Sequence, residues 1–212
     1  MTPSFEDAFA ETPLVAILRG IRPTEIVEVA EALYAAGIRI VEIPLNSPEP
    51  LDSLARLKAM EGRMIWGAGT VLRPGGVDAV AQVGGRIIVA PNTDASVIRK
   101  AIERGLTPMP GFATATEAFC ALESGAKYLK LFPAATYGVV HAKALTAVLP
   151  PEAVLLPVGG VGPAGMADWW AAGARGFGLG SELYKPGMKA EEVGRRAQAA
   201  VKAVRAVRAL PG

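Results

Sequence analysis

Residues 14–43 read LVAILRGIRPTEIVEVAEALYAAGIRIVEI. A short apolar run, Leu14–Leu18, gives way to a turn and then to an amphipathic stretch rich in Ala and Glu that closes on Gly37. A second β-branched run, Ile38–Ile43, follows at once. Apolar runs of about four to eight residues bounded by turn signals read as strands, and the longer periodic stretches between them as helices. The same unit recurs along the chain: further runs are Met64–Gly67, Arg86–Ala90, Leu106–Met109, Tyr128–Phe132, Val154–Val158 and Gly176–Leu179, which makes eight. Helix starts are marked at Pro23-Thr24-Glu25, Ser47-Pro48-Glu49, Pro74, Thr93-Asp94 and Gly162-Pro163. Thr114-Ala115-Thr116-Glu117 reads as a capping box. Gly37, Gly62, Gly84, Gly105, Gly125 and Gly173 stand where helices should stop.

Strict strand–helix alternation requires a parallel sheet covered by helices, but it does not separate a closed barrel from an open doubly wound sheet. Eight units in 212 residues, about 26 each, and no GxGxxG after the first run favour a (β/α)8 TIM barrel. An extra N-terminal helix, Ser4–Ala10, is expected to close its bottom. The final stretch, Lys189–Leu210, reads as a long helix with Val193, Ala197, Ala200, Val204 and Val207 on its buried face and Lys/Arg in solvent. No linker or low-complexity tract interrupts the pattern, so residues 1–212 read as a single domain.

Composition narrows the function. With 51% hydrophobic residues the chain has ample material for a core. One cysteine excludes an internal disulfide framework and a cysteine-based zinc site, and one histidine excludes a multi-histidine site. A net charge of +2 gives no sign of a nucleic-acid partner. No apolar run reaches the ~18 residues of a membrane span, and the first twenty residues carry Glu6, Asp7 and Glu11 where a signal peptide would be apolar. A cytoplasmic protein without membrane partner is the expectation. Cys120 and the Trp169-Trp170 pair read as packing residues, and His141 as a surface or loop residue.

Barrel chemistry sits at the C-terminal ends of the strands. Here those ends carry Arg19, Glu42, Gly69-Thr70, Pro91-Asn92, Pro110-Gly111, Lys130, Gly159-Gly160 and Gly180-Ser181. Lys130, within Tyr128-Leu129-Lys130-Leu131-Phe132, has apolar neighbours on both sides. Lost solvation lowers an amine's pKa, and a neutral amine can attack a ketone to form a Schiff base; the plainer reading is a snorkelling or edge lysine. Glu42 falls on the same face as Ile40 and Pro44, where a carboxylate is expensive unless paired or functional. It is a candidate general acid/base, or one half of an ion pair with Lys130 or Arg19. Gly159-Gly160 and Gly180-Ser181 follow the seventh and eighth runs, where glycine amides commonly cradle phosphate, although two ordinary tight turns would look alike. Arg19 is a candidate carboxylate clamp or a rim arginine, and Thr70 a second donor to that carboxylate or a turn cap.

These segments also resemble a known family. Ala16–Gly20, Val41–Pro48, Gly67–Leu72, Pro110-Gly111 through Thr116-Glu117, Leu129–Pro133, Val158–Val161 and Leu179–Ser181 are similar, in order and over nearly the whole chain, to class I aldolases of the KDPG/KHG family. The resemblance implies a (β/α)8 barrel, a homotrimer, and metal-free cleavage of 2-keto-3-deoxy-6-phospho sugar acids to pyruvate and glyceraldehyde 3-phosphate, with no cofactor. It makes Lys130 the Schiff-base lysine, Glu42 the acid/base and Thr70 a holder of the pyruvate carboxylate. It makes Gly159, Gly160, Gly180 and Ser181 the phosphate site, and Phe132 and Pro91 the pocket walls beside the iminium.

Two departures bear on substrate. The phosphogluconate branch has an arginine shortly after the catalytic glutamate and a threonine just before the Gly-Gly pair; this chain has Asn46 and Val158 there, with Arg19 at the first strand end. Both point to the phosphogalactonate branch. The gluconate epimer, dual specificity, a silent phosphosugar-binding barrel and a phosphate-binding isomerase are the alternatives.

Overall fold

The computed structural model describes residues 3–209. Its elements are α1 (Phe5–Glu11), β1 (Leu14–Ile17), α2 (Ile26–Ala36), β2 (Ile40–Pro44), α3 (Pro50–Arg56), β3 (Ile65–Gly69), α4 (Pro74–Gln82), β4 (Ile87–Val89) and α5 (Ala95–Glu103). They continue with β5 (Thr107–Met109), β6 (Gly111–Phe112), α6 (Ala115–Glu123), β7 (Tyr128–Leu131), α7 (Ala134–Thr146), β8 (Val154–Pro157), α8 (Met166–Ala171), β9 (Phe177–Leu179) and α9 (Ala190–Arg208). The fold is α/β with a curled, parallel sheet. Six strands run in the order β5-β4-β3-β2-β1-β9 and three in the order β6-β7-β8.

Among the described residues nine strands stand where eight were expected, because a short further strand, β6, follows the fifth run beyond Pro110. Proline has no N–H to give to a ladder. Before it, β5 pairs with β4 (Val89 opposite Met109); after it, β6 pairs with β7 (Gly111 opposite Lys130). The Pro110 carbonyl still accepts from the Lys130 amide at 2.9 Å. At the other seam a parallel bridge joins Val158, just after β8, to Gly178 in β9.

Both faces of this sheet are buried, so strand residues sort by alternation into two apolar clusters. Leu14, Ala16, Val41, Ile43, Trp66 and Ala68 face the helices. Val15, Ile40, Ile65, Ile87, Met109, Leu156 and Tyr128 form the interior cluster, and Phe5 and Ala8 of α1 join it. The Phe5 and Tyr128 rings meet edge-on at 4.7 Å. By the same alternation Glu42 and Lys130 fall on the interior face. One cluster therefore carries the fold, and the other the floor beneath two buried ionisable groups.

The helix signals act as expected. Gly37, Gly62, Gly84, Gly105, Gly125 and Gly173 all have left-handed φ, the conformation that ends a helix at low steric cost, although Gly62 follows a 3-10 turn, Leu57–Met60, that extends beyond α3. Thr114 and Glu117 form a reciprocal capping box on α6. Thr114→Ala should lower stability by ~1 kcal/mol, read as a shifted urea midpoint at unchanged slope; an unshifted midpoint would mean water replaces the cap. Helix α9 buries Val193, Ala197, Ala200, Val204 and Val207, and Leu210 lies outside the described residues. Trp169 is buried, Trp170 packs on Phe177, and Cys120 is only half-buried in α6. His141, expected as a surface or loop residue, stands half-buried in α7 with Nε2 2.6 Å from the Ala113 carbonyl oxygen. Among the described residues no helix is long and apolar enough to cross a membrane.

Candidate active site

Glu42 sits in β2 opposite Ile17 of β1 and Gly67 of β3, and Lys130 sits in β7 between Gly111 and Leu156. Both are buried, Glu42 to 1% and Lys130 to 7% exposure. They project into one small interior cavity whose walls include Ile17, Val89, Met109 and Val158. Apolar walls do not solvate charge, and the titration of both groups follows from that. Burial pushes the Glu42 carboxyl up to about 7, against the pull of the Lys130 and then the Arg19 charge. Burial likewise drives the Lys130 amine down from its ordinary value; Glu42 opposes this and Arg19 adds to it.

The direct ion pair considered for Glu42 is absent among the described residues: Oε2 has no hydrogen-bond partner in the protein, and Lys130 and Arg19 act on the carboxyl only through space. An unpaired buried carboxyl is costly, and such groups in a folded protein call for a functional reason. The Lys130 Nζ also lies 4.8 Å from the centre of the half-buried Phe132 ring, whose π-face favours a cation at that nitrogen. The arrangement offers a nucleophilic amine, a proton carrier poised near neutrality, and an aromatic wall suited to an iminium.

The strand ends around this pair form three groups. Arg19, at the end of β1, donates from Nη1 to Asn46 Oδ1 at 2.5 Å and from Nη2 to Thr70 Oγ1 at 3.4 Å. Thr70 has φ 57°, a left-handed conformation that is an outlier for a β-branched residue and that recurs at functional sites. Pro91 is half-buried, with its backbone against Gly111, one strand from Lys130. In the third group, Gly159 (φ 94°) and Gly160 (φ 73°) take conformations that favour glycine, next to the Phe132 ring and Ala135. Gly180 and exposed Ser181 lie in the neighbouring loop, which reaches Gly162 through Glu182. Among the described residues, the amides of Gly159, Gly160, Gly180 and Ser181 donate to no other backbone group outside helices and strands. Val158 is buried against Gly178.

Two residues at the site carry more than their sequence shows. In the sequence Asn46 only stands where an arginine is missing, yet its amide oxygen accepts from Arg19. Gly69 reads as a strand end, but a Cβ there would collide with the Glu42 carboxyl, approaching within 2.4 Å of Cδ. The available signal was two glycines in one strand, Gly67 and Gly69, which marks close approach by another group. Among the described residues no group of three or more His, Cys, Asp or Glu is placed to hold a metal.

A buried amine, and beside it a carboxyl raised to about 7, both on the interior face of parallel strands, are groups able to support carbonyl chemistry through an amine nucleophile. The chain belongs to the KDPG and KHG aldolase family, whose model matches residues 5–193. It is 50% identical over 194 residues, 91% of this chain and 95% of the relative, to 2-dehydro-3-deoxy-6-phosphogalactonate aldolase of Escherichia coli K12. It is 47% identical, over 93% of each chain, to the probable enzyme of that name from Rhizobium meliloti. Among solved structures, native KDPGal superposes with TM-score 0.93 at 48% identity, covering 94% of this chain and 98% of that one. KDPG aldolase of Legionella pneumophila, with pyruvate captured as a covalent carbinolamine, superposes with TM-score 0.79 at 25% identity, covering 95% and 96%.

Proposed function

We propose that the protein cleaves 2-dehydro-3-deoxy-6-phosphogalactonate to pyruvate and D-glyceraldehyde 3-phosphate through a Schiff base on Lys130. The observation that carries this reading is Lys130 beside Glu42 in one cavity, both buried, with Glu42 Oε2 unpartnered. The choice of sugar acid rests on the relatives named for it and on Val158 and Arg19.

Neutral Lys130 Nζ adds to the C2 carbonyl, and Glu42, as the acid, protonates the departing hydroxyl so that water leaves and the iminium forms. As the carboxylate, Glu42 then takes the C4 hydroxyl proton, directly or through water. The electron pair of the C3–C4 bond moves into the iminium to give an enamine, and C4 leaves as the aldehyde carbon of glyceraldehyde 3-phosphate. Protonation at C3 and hydrolysis release pyruvate and regenerate the amine. Arg19 and Thr70 hold the carboxylate, Phe132 and Pro91 wall the iminium, and Val158 gives an apolar contact near C4. The amides of Gly159, Gly160 and Gly180 and the Ser181 hydroxyl take the phosphate.

In this reading residues 1–212 make one domain, and the two curled sheets close into a (β/α)8 barrel with α1 as its extra N-terminal helix. The Val158–Gly178 bridge and the single proline between β5 and β6 support closure. A cytoplasmic homotrimer follows from the family resemblance; exposed apolar Tyr137 (41%), Val140 (85%) and Val148 (58%), on and just after α7, support association. Sedimentation should then give the mass of three 22.0 kDa chains.

The test is kcat/KM for pyruvate release from the two C4 epimers. The galactonate epimer should be favoured by roughly tenfold or more, and a preference for the gluconate epimer would reassign the substrate. A Cβ at Gly180 meets no protein atom within 4 Å. Gly180→Ala should therefore unfold like wild type yet raise KM several-fold, because only a bound phosphate would feel the methyl; an unchanged KM would move the phosphate elsewhere.

A further inference from the structure

Arg19 is exposed at the mouth of the site, yet its guanidinium is held on two sides. The holders come from the ends of two other strands, Asn46 after β2 and Thr70 after β3. Both are uncharged acceptors, and among the described residues Arg19 has no carboxylate partner within ion-pair distance. An uncharged acceptor fixes a guanidinium without cancelling its charge, whereas a carboxylate would fix it and neutralise it. Of its five N–H groups, two are used here and three remain for an anion. The loops themselves are latched, since the Gly20 amide donates to buried Ser47 Oγ at 3.0 Å, beside Asn46. The shorter of the two contacts to Arg19 is the one from Asn46.

We propose that Asn46 is a positioning residue: acting through Arg19, it sets the substrate's carboxylate clamp while leaving that clamp its full charge. This rests on the aldolase reading above. It assigns the asparagine a role of its own, beyond the loss of an arginine at that position.

The experiment is a double-mutant cycle on the full-length protein, with Asn46→Ala, Arg19→Ala and both together, read as KM and kcat for pyruvate release. Asn46→Ala should raise KM by ~10-fold, with kcat changed less, because one hydrogen bond to a charged group is lost. In the Arg19→Ala background the same substitution should cost almost nothing, because its only route of action is gone. Asn46→Asp keeps the acceptor and should unfold no earlier than wild type, yet it should raise KM as much as Asn46→Ala does, through neutralisation of the clamp. Equal losses in both backgrounds, or wild-type KM in Asn46→Asp, would overturn the proposal. A wild-type protein that releases no pyruvate would instead overturn the aldolase reading beneath it, so the two failures are told apart in the first arm.

Discussion

Lys130→Ala is expected to abolish aldol turnover in a protein that still folds. The loss should exceed the ~10²–10⁴-fold that general acid–base assistance is worth, because the covalent route goes with the amine. Lys130→Arg should be just as inactive: a guanidinium keeps its proton at any accessible pH and offers no lone pair. That variant separates nucleophile from charge. If the lysine served only to neutralise Glu42, arginine would restore activity, and recovery in Lys130→Arg would refute the covalent assignment. Circular dichroism and an unfolding curve on both variants establish that the fold has survived.

Glu42→Gln should slow turnover by ~10²–10⁴-fold, leaving a measurable residue, and should stabilise the protein at alkaline pH. The carboxyl titrates at about 7 in the fold against an ordinary value of 4.5, so the native state holds the proton more tightly than the unfolded chain does. A raised folded value means that the contribution is fully favourable below pH 4.5 and is lost as pH rises through 7. The gap between those two values corresponds to about 3 kcal/mol, which wild type loses above neutrality and a glutamine does not. Lys130 titrates with the opposite sign, so the quantity to compare is the variant's stability minus wild type's at each pH. The difference should grow between pH 5 and 8. A flat difference would mean that Glu42 is ionised in the fold throughout this range, and the proton-carrying role would lose its basis.

Glu42 and Lys130 were legible as candidates because a charge inside an apolar run stands out; Arg39, between Ile38 and Ile40, has the same setting in the sequence, but it precedes β2 and pairs with Glu11. What stayed hidden has physical reasons. The face each strand residue takes was invisible over most of the sheet, since both faces are apolar and a run such as LVAI shows no alternation. Only the ionisable residues betrayed the interior side. The split at Pro110 was present as a proline in the sequence, but its consequence, a change of partner from β4 to β7, depends on the curl of the sheet. Asn46 was illegible as a functional residue because its role exists only through a guanidinium 27 positions away. Gly69 has meaning only beside the Glu42 carboxyl it makes room for. Helix ends, by contrast, depend on neighbours in sequence, and the glycine and threonine signals located them closely.

Reduction with borohydride in the presence of pyruvate, followed by peptide mass spectrometry, tests the central claim most directly. A stable pyruvyl adduct on the peptide containing Lys130, absent from Lys130→Arg, is the predicted result. No adduct in folded protein, or an adduct confined to a lysine other than Lys130, would contradict it and leave Lys130 a structural residue.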